Sequence, residues 1–503
     1  MPSSSSKADA AVHSGAIHSG AIRFGAIRFG TSGWRGIIAD DFTFANVRIA
    51  VAAIADHVLS HNKKPSLLLA HDTRFFSEDF VRTAAVVLAA RGVHPLICKG
   101  ATPTPVVAYE ILRRKTDGAI NFTASHNPAD YHGLKFSGAD GGPAMPEVTR
   151  DIEARAAELA PRAEFAAPAY PAAHDMPQVE SIEPKPTYLE RLGELVRFDV
   201  IRDAARKADL RIVYDALHGC GAGYVDAALA RHGVQAHTLR AERDVLFDGT
   251  GPDVSDENLA LLAASVRKEN AQVGLATDGD GDRFGIIDGD GKWVSPNHIL
   301  GLLFDYLVET RGWKLTAARS VATSHLLDGV ARLHKLPAVY ETPVGFKYIG
   351  QLIQKDAITL GGEESAGLTI RGHVPEKDGV LACLLLAEMI AARGASLSEQ
   401  LNVLFRRVGR SYWPQRSNLH LPDDVKARTI ARLNGDFTDF LGRRVARTDR
   451  TDGVKLVFED SSWVLLRLSG TEPLLRIYTE AATPQESTQL AEQAREWVFD
   501  ATA

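Results

Sequence analysis

The chain has 503 residues, 45% of them hydrophobic and 24% charged, which is long enough for three or four domains with separate cores. A formal net charge of −6 and a pI of about 6.3 argue against a nucleic-acid partner. The three cysteines, Cys98, Cys220 and Cys383, are far apart and lack metal-ligand spacing. This usage favours a reduced, cytoplasmic protein over a disulfide scaffold or a zinc site.

The first 26 residues begin with a serine run and continue as the near-repeat HSGAIHSGAIRFGAIRFGTS. Glycine, serine and histidine interrupt the apolar residues every few positions, so a signal peptide is excluded and a disordered tail is predicted for 1–26. The most apolar helical stretch, 379–394, contains Glu388 and is too short to span a bilayer. We expect this stretch to be a buried core helix and expect no membrane association.

Three segments share one pattern of an apolar strand, a polar turn, an amphipathic helix and a second strand. They are residues 67–98, 211–239 and 320–342. This alternation is typical of βαβ units and of largely parallel sheets. The sequence therefore predicts three similar α/β domains with mixed, largely parallel sheets.

The stretch 161–186 is rich in proline and alanine and is predicted to be a linker. The chain beyond residue 410 has a different pattern, with two strand-like runs, WVLLRL and LLRIYTEA, and a capped helix at the end. We expect a smaller C-terminal α+β domain there. The predicted domain limits are 27–160, 187–295, 296–410 and 411–503.

A metal site is indicated by the run ATDGDGDRFGIID, in which Asp278, Asp280 and Asp282 alternate with glycine. An EF-hand would need glycine and glutamate where Arg283 and Gly289 stand, so EF-hand calcium binding is excluded. Three carboxylates with few other ligands suit Mg²⁺ that keeps positions for substrate phosphate oxygens. The alternative is an acidic surface turn, which is our interpretation of Asp288 and Asp290 in the hairpin that follows.

A phosphate site is indicated by RLSGTEPLLRIY, residues 467–478. Ser469, Gly470 and Thr471 offer hydroxyls and backbone N–H groups, and Arg467 and Arg476 flank them. This set suits a phosphate dianion, which a nest of amides and guanidinium forks can hold. A plain hairpin turn is the alternative.

Two further loops give weaker signals. In GGEESAG, residues 361–367, Glu363 and Ser365 can bond the hydroxyls of a sugar, although a polar βα loop has the same composition. Lys347 in ETPVGFKYIG and Lys377 in PEKDG are loop lysines, which are exposed in the usual case.

Two arginines follow apolar runs of the first domain. Arg35 lies in GTSGWRG and Arg74 in HDTR. In α/β sheets the carboxyl ends of the strands form the ligand crevice, so both arginines are expected at such a crevice.

Ser125 lies in NFTASHNPADYHGLKFSG, residues 121–138. The chain has no GxSxG elbow and no P-loop, and an adjacent histidine is poorly placed to act as the serine's base, so a hydrolase triad and a P-loop kinase are disfavoured. A serine near a Mg²⁺ loop, in a chain with a separate phosphate nest, fits phosphoryl carriage. A phosphoserine carries about −1.5 to −2 charges, so cations must lie near it, and Lys135, Arg35 and Arg283 are the candidates.

The motifs TASHNPADYHGLK, DGDGDR, GEESAG and RLSGTEP occur in the order found in the α-D-phosphohexomutases, the phosphoglucomutase/phosphomannomutase family. The chain resembles that family from about residue 27 to its end. The resemblance implies four domains around a central cleft, each of which supplies one motif.

The resemblance also implies a role for each candidate residue. Ser125 would be the phosphoserine and would bind Mg²⁺ together with Asp278, Asp280 and Asp282. Arg35, Lys135 and Lys377 would be catalytic, with Lys135 moving a proton or stabilising charge. The implied substrate-binding residues are His126, Asn127, Arg283, Thr342, Gly345, Lys347, Glu363, Ser365, Arg467, Ser469, Gly470, Thr471 and Arg476.

The implied reaction interconverts hexose 1-phosphate and hexose 6-phosphate through a hexose 1,6-bisphosphate, which also serves as activator. Glucose is favoured because Gly367 stands where many bacterial relatives have the histidine of SGH, and because TPVGFKYIG and EKDG resemble phosphoglucomutases. A phosphomannomutase or dual-specificity mutase is the alternative, followed by a sugar phosphatase and a non-catalytic sugar-phosphate-binding protein. The expected partners are small sugar phosphates, and the expected state is a monomer or weak homo-oligomer.

Overall fold

The computed structural model describes residues 27–166, 179–468 and 474–500. The tail predicted for 1–26 lies outside these residues, as do residues 167–178 of the predicted linker. The described part folds into three α/β domains followed by a C-terminal domain with an antiparallel sheet. The predicted fold class is therefore confirmed.

The first domain is built on a six-stranded sheet of order β1-β5-β4-β2-β3-β6. Its strands are β1 (Trp34–Ile37), β2 (Ser66–His71), β3 (His94–Cys98), β4 (Gly118–Phe122), β5 (Tyr131–Gly138) and β6 (Glu180–Ile182). Its helices are α1 (Phe44–Leu59), α2 (Ser77–Ala90), α3 (Thr104–Arg114), α4 (Pro146–Leu159) and α5 (Ala163–Ala166). Strand β6 falls inside the stretch predicted as a linker and pairs in parallel with β3, so this part of the stretch extends the sheet.

The second domain has a four-stranded sheet of order β10-β9-β7-β8. Its strands are β7 (Ile212–Asp215), β8 (Ala236–Leu239), β9 (Val273–Thr277) and β10 (Phe284–Asp288). Its helices are α6 (Lys185–Leu195), α7 (Phe198–Arg206), α8 (Val225–Arg231) and α9 (Ala260–Glu269).

The third domain has a four-stranded sheet of order β12-β11-β13-β14. Its strands are β11 (Thr316–Ser320), β12 (Tyr340–Thr342), β13 (Ile358–Glu363) and β14 (Gly367–Ile370). Its helices are α10 (Pro296–Arg311), α11 (Leu326–Leu333), α12 (Phe346–Gln354), α13 (Gly379–Arg393) and α14 (Leu397–Val408).

The fourth domain has a fully antiparallel sheet of order β15-β20-β19-β18-β17-β16. Its strands are β15 (Trp413–His420), β16 (Asp439–Phe440), β17 (Arg443–Asp449), β18 (Val454–Phe458), β19 (Trp463–Leu468) and β20 (Leu474–Ala481). Its helices are α15 (Asp423–Leu433) and α16 (Pro484–Phe499), and α16 packs on β20.

The three α/β domains share a four-strand unit in which three parallel strands are followed by one antiparallel strand. This antiparallel strand is an edge strand in the second and third domains, whereas in the first domain β1 pairs with it. In chain order the antiparallel pairs are β4–β5, β9–β10 and β13–β14. Each pair is joined at the carboxyl end of a parallel strand, the end at which α/β sheets bind ligands. The Ser125 loop, the aspartate run and the Glu363 turn are these three connections, so equivalent positions of three related sheets carry three different motifs.

Helix α13 is the buried core helix that its composition predicts. It contacts β9 and β10 of the second domain and β14 of the third, and one continuous apolar core runs through both domains. Among the described helices none alone has the length and apolar character to cross a membrane. One bent pair, α13 and α14, meets that test only when taken together, at an angle of 78°.

The interpretation of Asp288 as part of a surface turn is wrong. Its side chain is buried and accepts hydrogen bonds from the backbone N–H groups of Leu397 and Ser398 at the start of α14. A carboxylate at a helix N-terminus satisfies donors that have no partner within the helix. Asp290, by contrast, is exposed, and its ion-pair partner among the described residues is Lys292.

Candidate active site

A cleft of about 920 Å³ opens between the domains, and all four of them line it. Its charged and hydroxyl-bearing walls include Arg35, Ser125, Arg283, Glu363, Lys377 and Arg476. The size and the shared lining suit a phosphorylated sugar that is contacted from several sides.

Ser125 lies in the connection between β4 and β5, at the inner end of the cleft. Its Oγ donates a hydrogen bond to Asp278 Oδ2 at 2.8 Å, and its own N–H donates to Thr123 Oγ1 at 2.8 Å. The backbone of Ser125 is left-handed, with φ of 53°, which is a strained conformation for a residue other than glycine. Such strain persists only where the surroundings hold the loop in place.

Arg74 is the residue that holds this loop. It is fully buried, and its Nε donates to the Asp72 carboxylate. Its two terminal nitrogens donate to four backbone oxygens of the loop, those of Ser125, Asn127, Pro128 and Tyr131. The sequence placed Arg74 at a strand end but did not show that four of its five hydrogen bonds go to the serine loop.

The aspartate run brings three buried carboxylates together beneath Ser125. One oxygen from each of Asp278, Asp280 and Asp282 lies within 4.8 Å of the others. Lys135 on β5 donates to Asp280 and Asp282 at 2.5 and 2.8 Å, and Thr104 donates to Asp280 at 2.7 Å.

The donor set fits a hard divalent cation. Asp280 Oδ1 and Asp282 Oδ1 are buried and have no hydrogen-bond partner, although buried carboxylate oxygens are normally satisfied. Oxygen ligands of this kind are those that Mg²⁺ and Ca²⁺ prefer. The cluster could therefore hold the metal that the sequence predicts.

The surrounding charges shift the pKa values of Asp278 and Asp282 in opposite directions. Burial, followed by repulsion from Asp280 and Asp282, raises the pKa of Asp278 well above its usual range. Burial alone would also raise the pKa of Asp282, but Lys135, Lys377 and Arg283 outweigh it and hold that pKa below its usual range. Burial lowers the pKa of Lys135 less than the two aspartates raise it, so in this structure Lys135 is a cation.

Of the two residues that follow Ser125, His126 lies near its hydroxyl and Asn127 contacts Arg35 instead. His126 Nδ1 is 3.5 Å from Ser125 Oγ, and burial, then Arg283 and Arg35, lower the pKa of His126 well below its usual range. Asn127 accepts a hydrogen bond from Arg35 on β1. His126 and Asn127 line the cleft together with Arg35.

Lys347 and Lys377 are buried, contrary to the usual case for loop lysines. Lys377 Nζ lies 3.1 Å from Asp282 and 3.0 Å from Glu376. Glu376 is itself buried and also accepts the Lys377 N–H. Glu376 was not predicted as a site residue, and its only signal in the sequence is its position next to Lys377.

The sugar-binding candidates of the third domain lie around one carboxylate. Glu363 Oε1 accepts the Gly345 N–H at 2.7 Å, and burial, then Glu364, raises the pKa of Glu363 to about 7. Ser365 lines the cleft next to them, as Gly345 does. Thr342 and Lys347 lie outside the cleft lining, and the Thr342 hydroxyl bonds backbone oxygens.

The two C-terminal arginines lie side by side on neighbouring strands of the fourth domain's sheet. Arg467 on β19 is the cross-strand partner of Arg476 on β20, so both side chains stand on one face. Arg476 lines the cleft, and Arg467 Nε lies 2.9 Å from Asp452. Ser469, Gly470 and Thr471, the loop that the two arginines flank, lie outside the described residues.

Four family models match this chain in order. They describe phosphoglucomutase/phosphomannomutase alpha/beta/alpha domains I, II and III and the C-terminal domain, and they match residues 26–163, 186–291, 295–408 and 418–496. The phosphoglucosamine mutase of Salinispora arenicola is 30% identical over 481 aligned positions, an alignment that covers 94% of this chain and 98% of that protein.

The chain belongs to the phosphoglucomutase/phosphomannomutase family. The phosphoglucomutase/phosphomannomutase of Thermococcus kodakarensis is 28% identical over 464 residues, or 92% of this chain and 96% of that one. A crystal structure from Thermus thermophilus is 31% identical, with a TM-score of 0.80 and coverage of 95% of this chain and 100% of that chain.

Membership confirms the predicted class of enzyme, an intramolecular phosphotransferase of the phosphohexomutase family. The names of the relatives cover glucose, mannose and glucosamine phosphates, so the family alone leaves the sugar open.

Proposed function

We propose that this protein interconverts hexose 1-phosphate and hexose 6-phosphate, with glucose as the preferred sugar, through a phosphorylated Ser125 and a hexose 1,6-bisphosphate. The observation that carries the proposal is the position of Ser125. Its Oγ is 2.8 Å from Asp278 in a cluster of three buried carboxylates, at a cleft that all four domains line.

The chemistry starts from Ser125 carrying a phosphoryl group. The bond from phosphorus to Oγ breaks as a bond forms to the free hydroxyl oxygen of the sugar phosphate, and the hydroxyl proton passes to water. After the bisphosphate turns around in the cleft, Oγ takes the phosphoryl from the other end, and that sugar oxygen takes a proton from water. The hexose 1,6-bisphosphate also phosphorylates Ser125 when the enzyme starts unloaded, which makes it the activator.

The chain's own residues have distinct parts in this scheme. Mg²⁺ on Asp278, Asp280 and Asp282 would neutralise charge on the transferring group. Lys135 and Lys377, cations beside that cluster, stabilise the same charge.

The other end of the substrate is held across the cleft. Glu363 accepts hydrogen bonds from sugar hydroxyls, and Ser365 donates one to them. Arg467 and Arg476 hold the phosphate that does not react. The loop of Ser469, Gly470 and Thr471 is proposed to complete that phosphate site.

Glucose is supported by the sequence around the third-domain motifs. Ser365 is followed by Ala366 and Gly367, so the histidine of the SGH variant is absent, and the Gly345 and Lys377 segments resemble phosphoglucomutases. Relative kcat/KM for the 1-phosphates of glucose, mannose and glucosamine, with the bisphosphate present, tests this choice. A preference for the 1-phosphate of mannose or glucosamine would refute the proposed glucose preference but not the proposed mutase activity.

Ser125→Ala tests the central claim. Incubation with glucose 1,6-bisphosphate should add one phosphoryl group to the wild type at Ser125 and none to the variant, whose turnover should be lost. Ser60→Ala, an exposed serine at the end of α1, is the control. Full turnover in Ser125→Ala would end the proposal.

Two rival activities give different results in the same assay. A sugar phosphatase would release inorganic phosphate steadily from glucose 1-phosphate without isomerisation. A non-catalytic binding protein would show calorimetric binding without turnover. A cytoplasmic location is consistent with three buried free cysteines, and the expected lack of nucleic-acid and membrane partners stays a prediction.

A further inference from the structure

The hairpin between β17 and β18 places one carboxylate between two domains. Asp452 Oδ2 accepts the backbone N–H of Val344, in the third domain, at 3.0 Å. Asp452 Oδ1 lies 2.9 Å from Nε of Arg467, in the fourth domain. Each oxygen of this carboxylate therefore serves a different domain.

The position of Asp452 is fixed by the glycine that follows it. Gly453 has a φ of 90°, and a Cβ built on it would lie 2.6 Å from the Leu466 oxygen and 3.1 Å from Arg467 Cα. No other residue type fits such a close approach together with a positive φ. The hairpin is thus pressed against the backbone of the arginine that Asp452 contacts.

On the third-domain side, Asp452 reaches the segment that supports Glu363. Val344 is followed by Gly345, whose N–H donates to the Glu363 carboxylate. The Val344 side chain packs against an apolar cluster, with members from both domains, that includes Val321 and Trp463. One carboxylate thus connects the backbone next to the sugar-binding glutamate with the phosphate-binding arginine.

A separate contact holds the two domains together without Asp452. Lys455 on β18 is buried and donates to the Val321 oxygen and to the Glu341 carboxylate at 2.7 and 2.9 Å. Trp463 Nε1 donates to Glu480, which also accepts the N–H of His325 in the third domain. Loss of the Asp452 charge should therefore change the orientation of Arg467 more than the seating of the domain.

We propose that Asp452 is a positioning residue that orients Arg467 toward the substrate phosphate when the fourth domain is seated on the third. Because the Asp452 carboxylate pairs with the Nε edge of the guanidinium, the four donors on the two terminal nitrogens are left to form the fork that a phosphate accepts. The inference rests on the proposed function, in which Arg467 binds the phosphate that does not react.

Asp452→Asn is the test, with Asp449→Asn as its matched control. Asp449 lies in the same hairpin, and among the described residues its polar contacts are with Arg447 and the Thr451 N–H rather than with Arg467 or the third domain. Loss of the charge that pairs with Arg467 predicts a roughly 10- to 100-fold rise in KM for glucose 1-phosphate in Asp452→Asn, with a much smaller change in kcat. Asp449→Asn should match the wild type.

Two readouts separate positioning from a general structural defect. Phosphoryl transfer from the phosphorylated enzyme to free glucose, which has no second phosphate, should proceed at the wild-type rate in Asp452→Asn. In an Arg467→Gln background, Asp452→Asn should add no further rise in KM. An unchanged KM, an equal loss with free glucose, or a full additional rise in the Arg467→Gln background would each overturn the inference.

Hydrogen exchange tests the link between the domains in the free protein, independently of catalysis. Backbone amides of residues 342–348 should exchange faster in Asp452→Asn than in Asp449→Asn, and equal rates would overturn the inference. A wild type that turns over no hexose phosphate refutes the proposed function instead. In that case weaker binding of inorganic phosphate by Asp452→Asn than by Asp449→Asn would still support the positioning role, and equal binding would overturn it.

Discussion

Replacement of Arg74 by lysine should loosen the Ser125 loop while it keeps the positive charge beside Asp72. Arg74 donates five hydrogen bonds, one to Asp72 and four to carbonyl oxygens of residues 125–131. A lysine ammonium has three donors on a single atom, so at least two of the five bonds must be lost.

The free-energy cost of Arg74→Lys follows from the number of oxygen acceptors that lose their hydrogen-bond donor. A buried polar group without a hydrogen bond costs about 1–3 kcal/mol, so two of them cost about 2–6 kcal/mol. The left-handed backbone of Ser125 adds to the tendency of the loop to leave its native conformation once these bonds weaken. At 1.4 kcal/mol for each factor of ten, exchange protection of the loop should fall at least about 30-fold.

The assay is hydrogen exchange of the amides of residues 123–131 in Arg74→Lys, together with kcat. Because a displacement of about 1 Å at a reacting group can cost about a hundredfold in rate, kcat should fall by about that factor. Arg82→Lys is the control, since Arg82 is exposed on α2 and, within the described part of the chain, pairs with Asp79. Wild-type protection and wild-type kcat in Arg74→Lys would show that the carbonyls find other donors and that this reasoning is wrong.

Three further predictions concern charge and stability. Burial and Glu364 raise the pKa of Glu363 from 4.5 to about 7, so the folded state holds this proton more tightly than the unfolded state. About 3 kcal/mol of stability, present below pH 4.5, should therefore be lost as the pH rises through about 7, and Glu363→Gln should remove that loss in thermal unfolding between about pH 5 and pH 8. Mg²⁺ at a hundredfold excess over its Kd should raise the free energy of unfolding by about 2.7 kcal/mol. A chelator should reverse this gain and Asp280→Asn should abolish it, whereas an equal gain in that variant would place the ion elsewhere. Asp288→Ala should cost about 1–2 kcal/mol in thermal unfolding because the start of α14 loses its acceptor, while Asp290→Ala in the same turn should cost less than about 0.5 kcal/mol; equal costs would contradict the capping role.

Patterns that depend on neighbours in the chain were predictable from the sequence. Residues 67–98 and 211–239 form the expected strand, helix and strand, because hydrophobic periodicity and turn residues are local properties. Residues 320–342 form the expected helix and second strand, but the first strand, β11, lies earlier in the chain and ends at Ser320. The alternating aspartates and glycines likewise specify a tight loop of carboxylates, since spacing alone brings them together.

Burial and partnership across domains could not be predicted in this way. Asp288 and Asp290 occupy the same turn, yet only Asp288 is buried, because the start of α14 packs on it from more than a hundred residues away in the chain. Lys377 is buried rather than exposed because Asp282 and Glu376 surround its charge. Nothing in the local sequence distinguishes Asp288 from Asp290, or Lys377 from an exposed loop lysine.

The sequence by itself determined the fold class, the family and the residue types of the site, because these depend on local patterns and on the order of four motifs along the chain. Only the tertiary structure decided which side chains hold those motifs in place. Arg74 and Asp452 act on backbone groups that are distant in sequence, and a backbone oxygen or N–H is the same for every residue type. Such contacts leave no trace in the motif that they support, so only the folded chain reveals them.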